Sequence, residues 1–143
     1  HLEGFSKCEA SEVVAICDVD KRVLEGRAKS MQDTFGKRPK TYVDMREMFA
    51  DADVDAVSFA TPNHWHALGT VWACQAGKHV YVEKPVSHEY NEGLAVIDAA
   101  KKNNRVVQHG TQSRSDHAWI RAIARIRAGG IGDIYMALSI IHI

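Results

Sequence analysis

The sequence has little cysteine, little proline and no excess charge of either sign. Its 143 residues include three cysteines and three prolines, and 18 basic residues balance 18 acidic ones. The cysteines, Cys8, Cys17 and Cys74, are scattered and form neither a CxxC pair nor a disulfide framework. We interpret them as small buried apolar residues in a reducing compartment, which favours a cytoplasmic location.

The sequence also lacks the features typical of proteins that bind nucleic acids or membranes. A zero net charge weighs against nucleic acid, because proteins that track phosphates usually carry a basic excess. No apolar run approaches the length of a transmembrane helix, so no membrane partner is expected. With 45% hydrophobic and 25% charged residues, the composition is that of a soluble globular protein about one domain long.

Short apolar runs alternate with helical patterns along most of the chain. The strands are expected at 12–18, 40–43, 56–60, 78–82 and 105–108, and the helices at 20–35, 44–50, 64–76, 87–103 and up to a stop at Gly129. Ser87 is expected to cap the fourth of these helices, with Tyr90, Leu94 and Ile97 on one of its faces. This alternation predicts an α/β fold built from βαβ units around a parallel sheet.

Glu83-Lys84-Pro85 is the most informative segment, because it ends the strand at 78–82. Ligands of open α/β sheets bind at the carboxyl ends of the strands. We expect Lys84 there to be half-buried and suited to proton transfer, with Pro85 restricting its backbone. Glu83 could pair with Lys84 or cap a neighbour; the alternative interpretation of Lys84 is an ordinary surface lysine.

Thr61-Pro62-Asn63 follows the preceding strand and brings a hydroxyl and an amide to the same edge. Asn63 can donate to and accept from a ribose or a carboxamide, although a simple turn before the next helix is equally consistent with it. His64-x-His66 is poorly spaced for a metal site, and no metal is expected. His66 is expected to line the nicotinamide end of a cofactor cleft.

Asp18 ends the first strand in the sequence. An acid at this point of a dinucleotide-binding fold accepts hydrogen bonds from the adenosine ribose, but a helix cap at Asp18 or Asp20 is the plain alternative. The chain contains no G-x-G-x-x-G loop, which would then lie just upstream of His1.

The strand at 105–108 is followed by another polar segment, which runs from Gln108 to Arg114. Gly110 is expected to allow a close backbone approach or a positive φ. Arg114 could contact a polyol or an anion, or it could simply be a solvated loop arginine.

The strings Ala60-Thr61-Pro62-Asn63-His64-Trp65-His66-Ala67 and Ala76-Gly77-Lys78-His79-Val80-Tyr81-Val82-Glu83-Lys84-Pro85 resemble the glucose–fructose oxidoreductase / inositol dehydrogenase family. The resemblance implies a doubly wound, Rossmann-type parallel sheet, a substrate domain after it, and oxidation or reduction of a sugar, inositol or related hydroxyl with NAD or NADP.

Residue roles follow from the same resemblance. It implies that Lys84 is catalytic and contacts the nicotinamide ribose of the cofactor. We also expect Lys84 and Arg114 to contact substrate. The cofactor residues it implies are Asp18, Thr61, Pro62, Asn63, His66, Glu83, Lys84 and Pro85, and Gln112 is expected to join them. Asp18 favours NAD, while Lys21 and Arg22 leave NADP open. A homo-oligomer is expected for the full-length protein.

We expect the chain to be an internal part of a longer protein. Residues 1–132 would form a dinucleotide-binding domain without its first strand and glycine loop, and residues 133–143 would form the first strand of a truncated substrate domain. Alone, the chain is expected neither to turn over substrate nor to bind NAD well. Two alternatives remain: a relative that retains NAD while it cleaves or exchanges glycosides, and a non-catalytic binding protein. Export is left open as well.

Overall fold

The computed structural model describes residues 1–137. Its helices are α1 (Leu2–Ser6), α2 (Lys21–Phe35), α3 (Met45–Phe49), α4 (His66–Gln75), α5 (Tyr90–Lys102) and α6 (His117–Arg127), and its strands are β1 (Ala15–Cys17), β2 (Lys40–Tyr42), β3 (Ala56–Phe59), β4 (His79–Val82) and β5 (Val107–His109). Within this range the predicted last strand is wrong for residues 134–137, which carry no strand. Its remainder, 138–143, lies outside the described residues.

All strand pairs in residues 1–137 are parallel. β1 pairs with β2, and β3, β4 and β5 form a second sheet in that order. These strands correspond to positions 3-2 and 4-5-6 of the doubly wound order 3-2-1-4-5-6. The predicted α/β class and its doubly wound parallel arrangement are confirmed.

Helix α2 shows why the sequence predicted the helices well. Asp20 caps its start, accepting a hydrogen bond from the Arg22 backbone, and Gly36 ends it with a φ of 74°. The helical spacing of Leu24, Ala28, Met31 and Phe35 predicts one apolar face; the first three of these residues are buried and Phe35 is partly buried. Amphipathic spacing and both end signals therefore agree with the structure.

The largest core cluster lies between β3, β4 and the helices beside them. It includes Phe59, Cys74 and Val82, which are at most 3% exposed. Gly69 lets α4 approach β3, because a Cβ there would lie 2.6 Å from the ring of Phe59. The close packing of α4 on the sheet fixes the loops at both of its ends.

The expected cap of α5 is wrong. The helix is capped by Glu89, which forms a capping box with Glu92, and Ser87 is not its cap. The face with Tyr90, Leu94 and Ile97 is exposed, whereas Val96 and Ala99 are buried. A helix wheel alone does not say which of two apolar stripes meets the sheet.

The described chain divides into two compact units, one from His1 to Gly110 and the other from Thr111 onward. The boundary predicted at residue 132 stays a prediction. Cys74 is buried as expected and Cys17 is partly buried, but Cys8 is exposed, so the interpretation of all three as buried residues is wrong for Cys8.

A cluster of charged groups stabilises the first unit beside β2. Lys40 Nζ lies 2.8 Å from carboxylate oxygens of both Asp51 and Asp53, and the Tyr42 hydroxyl donates to Asp51 at 2.8 Å. Hydrogen bonds from Lys40, the Asp53 backbone and Tyr42 hold the pKa of Asp51 well below its usual range. The buried Lys78 donates to the Asp51 carbonyl at 2.8 Å.

Candidate functional site

Three strand ends meet at one edge of the sheet. Phe59, Val82 and His109 are the last residues of β3, β4 and β5, and Phe59 pairs with Val82 as Val82 pairs with His109. Because the strands are parallel and in register, the segments that follow them leave the sheet side by side. The structure thus brings Thr61-Pro62-Asn63 next to Glu83-Lys84-Pro85, as the sequence predicted.

His66 ties these two segments together. It is 1% exposed, in the first turn of α4, and its ring nitrogens lie 2.6 Å from the Pro85 carbonyl and 3.0 Å from the Thr61 carbonyl. A buried imidazole needs such partners, because an unpaired polar group is costly to bury. The structure places His66 beneath both loops; its predicted contact with the cofactor stays a prediction.

Lys84 differs from its expected environment. Its side chain is exposed rather than half-buried, and within residues 1–137 it forms no hydrogen bond or ion pair. The reason is that Lys84 comes two residues after the last strand residue, where the chain has already left the sheet. The Lys84–Pro85 peptide is cis, an option that the sequence left open. Lys84 is therefore an exposed residue two positions beyond the end of β4.

Glu83 pairs with His1, not with Lys84. One carboxylate oxygen lies 2.8 Å from His1 Nε2, and His1 Nδ1 lies 2.7 Å from the Ser58 hydroxyl. The His1 ring also meets Tyr81 edge-on at 5.5 Å. These contacts link the start of α1 with β3 and with the end of β4.

Gly110 comes as close to β4 as the sequence suggested. Its amide donates to the Val82 carbonyl at 2.7 Å, and a Cβ on it would lie 3.0 Å from the Tyr81 hydroxyl and 3.2 Å from Glu83 Cα. Close approach, not a positive φ, explains the glycine. The chain after β5 therefore passes directly against Glu83.

Two buried polar atoms near these strand ends have no hydrogen-bond partner among the described residues. They are Thr61 Oγ1 and His109 Nε2. Asn63, in the turn Asn63–Trp65, is exposed and does not cap that turn with its side chain. Hydroxyl, amide and imidazole groups are thus held near one edge with hydrogen-bonding capacity to spare.

Asp18 directly follows β1, as predicted. Its carboxylate accepts from the Asp20 amide at 2.8 Å, and its own amide donates to the Tyr42 carbonyl at 3.1 Å. Asp20, not Asp18, caps α2, which decides between the two helix-cap candidates. Arg22 is paired with Asp20 at 3.1 Å.

The thiol next to Asp18 is not a nucleophile at neutral pH. Burial, with smaller contributions from Asp44, Asp18 and Glu47, raises the pKa of Cys17 to about 11. A neutral thiol is a poor nucleophile and a poor metal ligand. Within residues 1–137 no three His, Cys, Asp or Glu side chains are grouped to hold a metal ion.

Gln112 and Arg114 belong to the second unit. Both lie on the exposed 3₁₀ turn Gln112–Ser115, before Asp116 caps α6. Their roles in binding cofactor and substrate stay predictions. In the described part of the chain, no helix is both long and apolar enough to cross a membrane.

Sequence reasoning missed several residues of this edge. His1, Ser58, Tyr81 and His109 were not singled out, although each lies near a strand end or contacts a residue that does. For Ser58 and Tyr81 a signal existed. They are paired positions of two neighbouring strands, so their side chains lie on the same face of the sheet. Nothing in the sequence indicated that His1 would reach them.

Comparisons with known proteins agree with this architecture. A family model described as "Oxidoreductase family, NAD-binding Rossmann fold" matches residues 1–111. Inositol 2-dehydrogenase of Salmonella typhimurium is 35% identical over 126 residues, which cover 87% of this chain and 36% of that protein. A glycosyl hydrolase family 109 protein of Shewanella baltica is 27% identical over 141 residues, 94% of this chain and 30% of its own length.

Among solved structures, myo-inositol 2-dehydrogenase from Lactobacillus plantarum superposes with a TM-score of 0.80 at 27% identity, covering 93% of this chain and 38% of that one. The chain thus spans little more than a third of these dehydrogenases. With the family model matching residues 1–111 of 143, the chain belongs to the oxidoreductase family with the NAD-binding Rossmann fold, the glucose–fructose oxidoreductase / inositol dehydrogenase family.

Proposed function

We propose that the protein carrying this chain is an NAD-dependent oxidoreductase that acts on a hydroxyl of a polyol or sugar, with Lys84 in proton transfer. One observation carries the proposal: in a chain of this family, two parallel strand ends present Thr61-Pro62-Asn63 and Glu83-Lys84-Pro85 side by side. The inositol 2-dehydrogenase relatives make a cyclic polyol the first substrate to test.

The residues of the first unit fit a nicotinamide dinucleotide. Asp18 lies where an acid accepts hydrogen bonds from ribose hydroxyls. The unpartnered Thr61 hydroxyl and the exposed Asn63 amide add donors and acceptors at the edge of β3. When bound, the nicotinamide supplies the oxidising power for an alcohol carbon. NAD is favoured over NADP because Arg22 is already paired with Asp20 and a carboxylate repels a 2′-phosphate.

In this proposal Lys84 moves the hydroxyl proton. In its neutral amine form Nζ, exposed and without a hydrogen bond or ion pair in residues 1–137, accepts the proton of the substrate hydroxyl as the alcohol carbon is oxidised; the ammonium so formed returns that proton in the reverse direction.

A Lys84→Ala variant of the full-length protein tests the lysine. General acid–base groups contribute about 10²- to 10⁴-fold to a rate, so the single-turnover rate of NADH formation from myo-inositol should fall by that factor. Lys101→Ala, an exposed lysine near the end of α5, is the matched control and should keep the wild-type rate. A Lys84→Ala enzyme with an unchanged single-turnover rate would remove Lys84 from the mechanism.

A second function is favoured by a specific observation. The glycosyl hydrolase family 109 relative aligns with 94% of this chain, which keeps NAD-retaining glycoside cleavage as a candidate. Purified full-length protein is assayed with p-nitrophenyl glycosides without added NAD, and with free polyols and sugars plus NAD. Nitrophenol release alone indicates the glycosidase, and NADH accumulation indicates the dehydrogenase. Neither signal across the panel would favour a non-catalytic binding protein.

A further inference from the structure

Lys84 lies between two residues that are each held by a histidine. Glu83 is hydrogen-bonded to His1 at 2.8 Å, and the Pro85 carbonyl lies 2.6 Å from His66 Nδ1. We propose that His1 and His66 are positioning residues, which fix the backbone on either side of Lys84 and so determine where its ammonium stands. This inference rests on the proposed function of Lys84.

His66 is built to connect the two loops. From the first turn of α4 its ring reaches the Thr61 carbonyl after β3 and the Pro85 carbonyl after β4. The ring is 1% exposed, so it cannot exchange these partners for solvent. One imidazole ring therefore determines the separation of the two loops. Because the ring is planar and rigid, the distance between its two nitrogens is fixed.

Both acceptors of His66 are carbonyl oxygens, which can only accept. A ring that donates to both needs a proton on each nitrogen, and a neutral ring donates to one. Glutamine carries both of its N–H donors on a single nitrogen, so His66→Gln does not reproduce the two separate contact points of the ring nitrogens. The substitution therefore weakens the link between the loops while it keeps a polar side chain.

His1 acts on the other side of Lys84. Its ring lies between the Ser58 hydroxyl, at 2.7 Å, and the Glu83 carboxylate. Serine, histidine and carboxylate are also the components of a hydrolase triad, but Ser58 lies inside β3 and not on the sharp strand-to-helix turn that exposes such a nucleophile. The array is therefore a link from β3 to the end of β4.

Lys84 depends on this support because nothing else holds it. Its side chain is long, exposed and without a hydrogen bond or ion pair in residues 1–137. A misplacement of about 1 Å at a reacting centre costs on the order of 10²-fold in rate. Fixing the two neighbouring residues limits that error while the ammonium stays free to change partners.

The first experiment needs no cofactor. Hydrogen–deuterium exchange of the full-length protein without nucleotide is measured by mass spectrometry on peptides that cover 83–88. Losing one hydrogen bond should speed exchange there by about 3- to 10-fold in His66→Gln and in His1→Gln. His64→Gln is the matched control, since His64 is exposed two residues away. Wild-type exchange in both test variants would overturn the inference.

The second experiment asks whether His66 acts through Lys84. Single-turnover rates with NAD and myo-inositol are compared for His66→Gln, Lys84→Ala and the double variant. A positioning residue gives non-additive effects: His66→Gln slows the wild-type enzyme by about 10-fold and the Lys84→Ala enzyme hardly at all. If the rate loss of the double variant equals the product of the two single losses, the inference is overturned and the proposed function is not. If Lys84→Ala itself keeps the wild-type rate, the proposed role of Lys84 fails first.

Melting temperatures are measured for every variant, so that a folding defect is recognised. If His66→Gln does not fold, His1→Gln takes its place in the same cycle with Lys84→Ala. His1 is partly exposed, with 29% of its side chain accessible, so its replacement leaves the core untouched. Additive effects of His1→Gln and Lys84→Ala would then count against the positioning role.

Discussion

Adding a single methyl group at Gly110 should displace the backbone next to Lys84. In the structure a Cβ at this position would lie 3.2 Å from Glu83 Cα, with the Tyr81 hydroxyl at 3.0 Å on another side. Non-bonded carbon atoms rest about 3.5–4.0 Å apart, so the Glu83 backbone or the Gly110 segment must move by about 0.3 Å or more. The side-chain oxygens can rotate away, but the Cα atom cannot.

The expected loss of rate follows from that displacement. A misplacement of about 1 Å lowers a rate by about 10²-fold. If the activation free energy rises in proportion to the displacement, a shift of about 0.3 Å lowers the rate by about 4-fold. We therefore expect Gly110→Ala to lower the single-turnover rate of NADH formation from myo-inositol by about 3- to 10-fold. Overpacking should also destabilise the protein, by about 1 kcal/mol.

Gly26→Ala provides the control. Gly26 is in the interior of α2, and a methyl group added there would have nothing within 4 Å, so alanine should stabilise the helix by about 0.5–1 kcal/mol and leave the rate unchanged. The reasoning is refuted if Gly110→Ala reacts at the wild-type rate while a crystal structure shows the methyl group in place. It is equally refuted if Gly26→Ala slows the reaction as much.

Three further predictions concern other parts of the first unit. Gly69→Ala should cost about 1–3 kcal/mol of unfolding free energy in urea titrations, because its Cβ would lie 2.6 Å from the Phe59 ring; unchanged stability would contradict the packing of α4. The carboxylate of Asp51, with its lowered pKa, should stabilise the fold fully above its unfolded pKa of about 3.9 and lose that contribution as the pH falls through the folded value. The melting temperature of Asp51→Asn should therefore fall less than that of the wild type between about pH 5 and pH 2. If both proteins lose the same melting temperature over this range, the interaction of Asp51 with Lys40 does not cause the acid destabilisation. Asp18→Asn should weaken NAD binding by about 3- to 10-fold in calorimetric titrations of the full-length protein, and the variant should prefer NAD over NADP less strongly than the wild type does. Equal NAD affinities in variant and wild type would refute the ribose role of Asp18.

Much of this fold could be predicted because its elements are specified locally. In α2 the buried stripe, the Asp20 cap and the Gly36 stop are all readable in consecutive residues, and the structure reproduces them. Parallel strands bounded by helices also imply that their carboxyl ends share an edge. That is why the amino-acid sequence alone places Thr61 and Lys84 together.

Local signals failed where two surfaces compete or where a partner is far away in sequence. On α5 both Leu94 and Val96 are apolar, and only the packing of the helix on the sheet decided that Val96 is buried. The end of β4 at Val82 was predicted correctly, but the exposure of Lys84 depends on the course of the chain beyond that residue, which no local pattern predicts.

By itself, the sequence determined the succession of strands and helices and the chemistry delivered to the strand ends, because hydrophobic period, caps and glycine stops act over a few residues. Tertiary structure alone decided how that chemistry is supported. It brought His1 to Glu83, 82 residues away, and set His66 between two carbonyls. Such contacts depend on how the helices pack against the sheet, and no pattern of neighbouring residues specifies contacts between segments so far apart in the sequence.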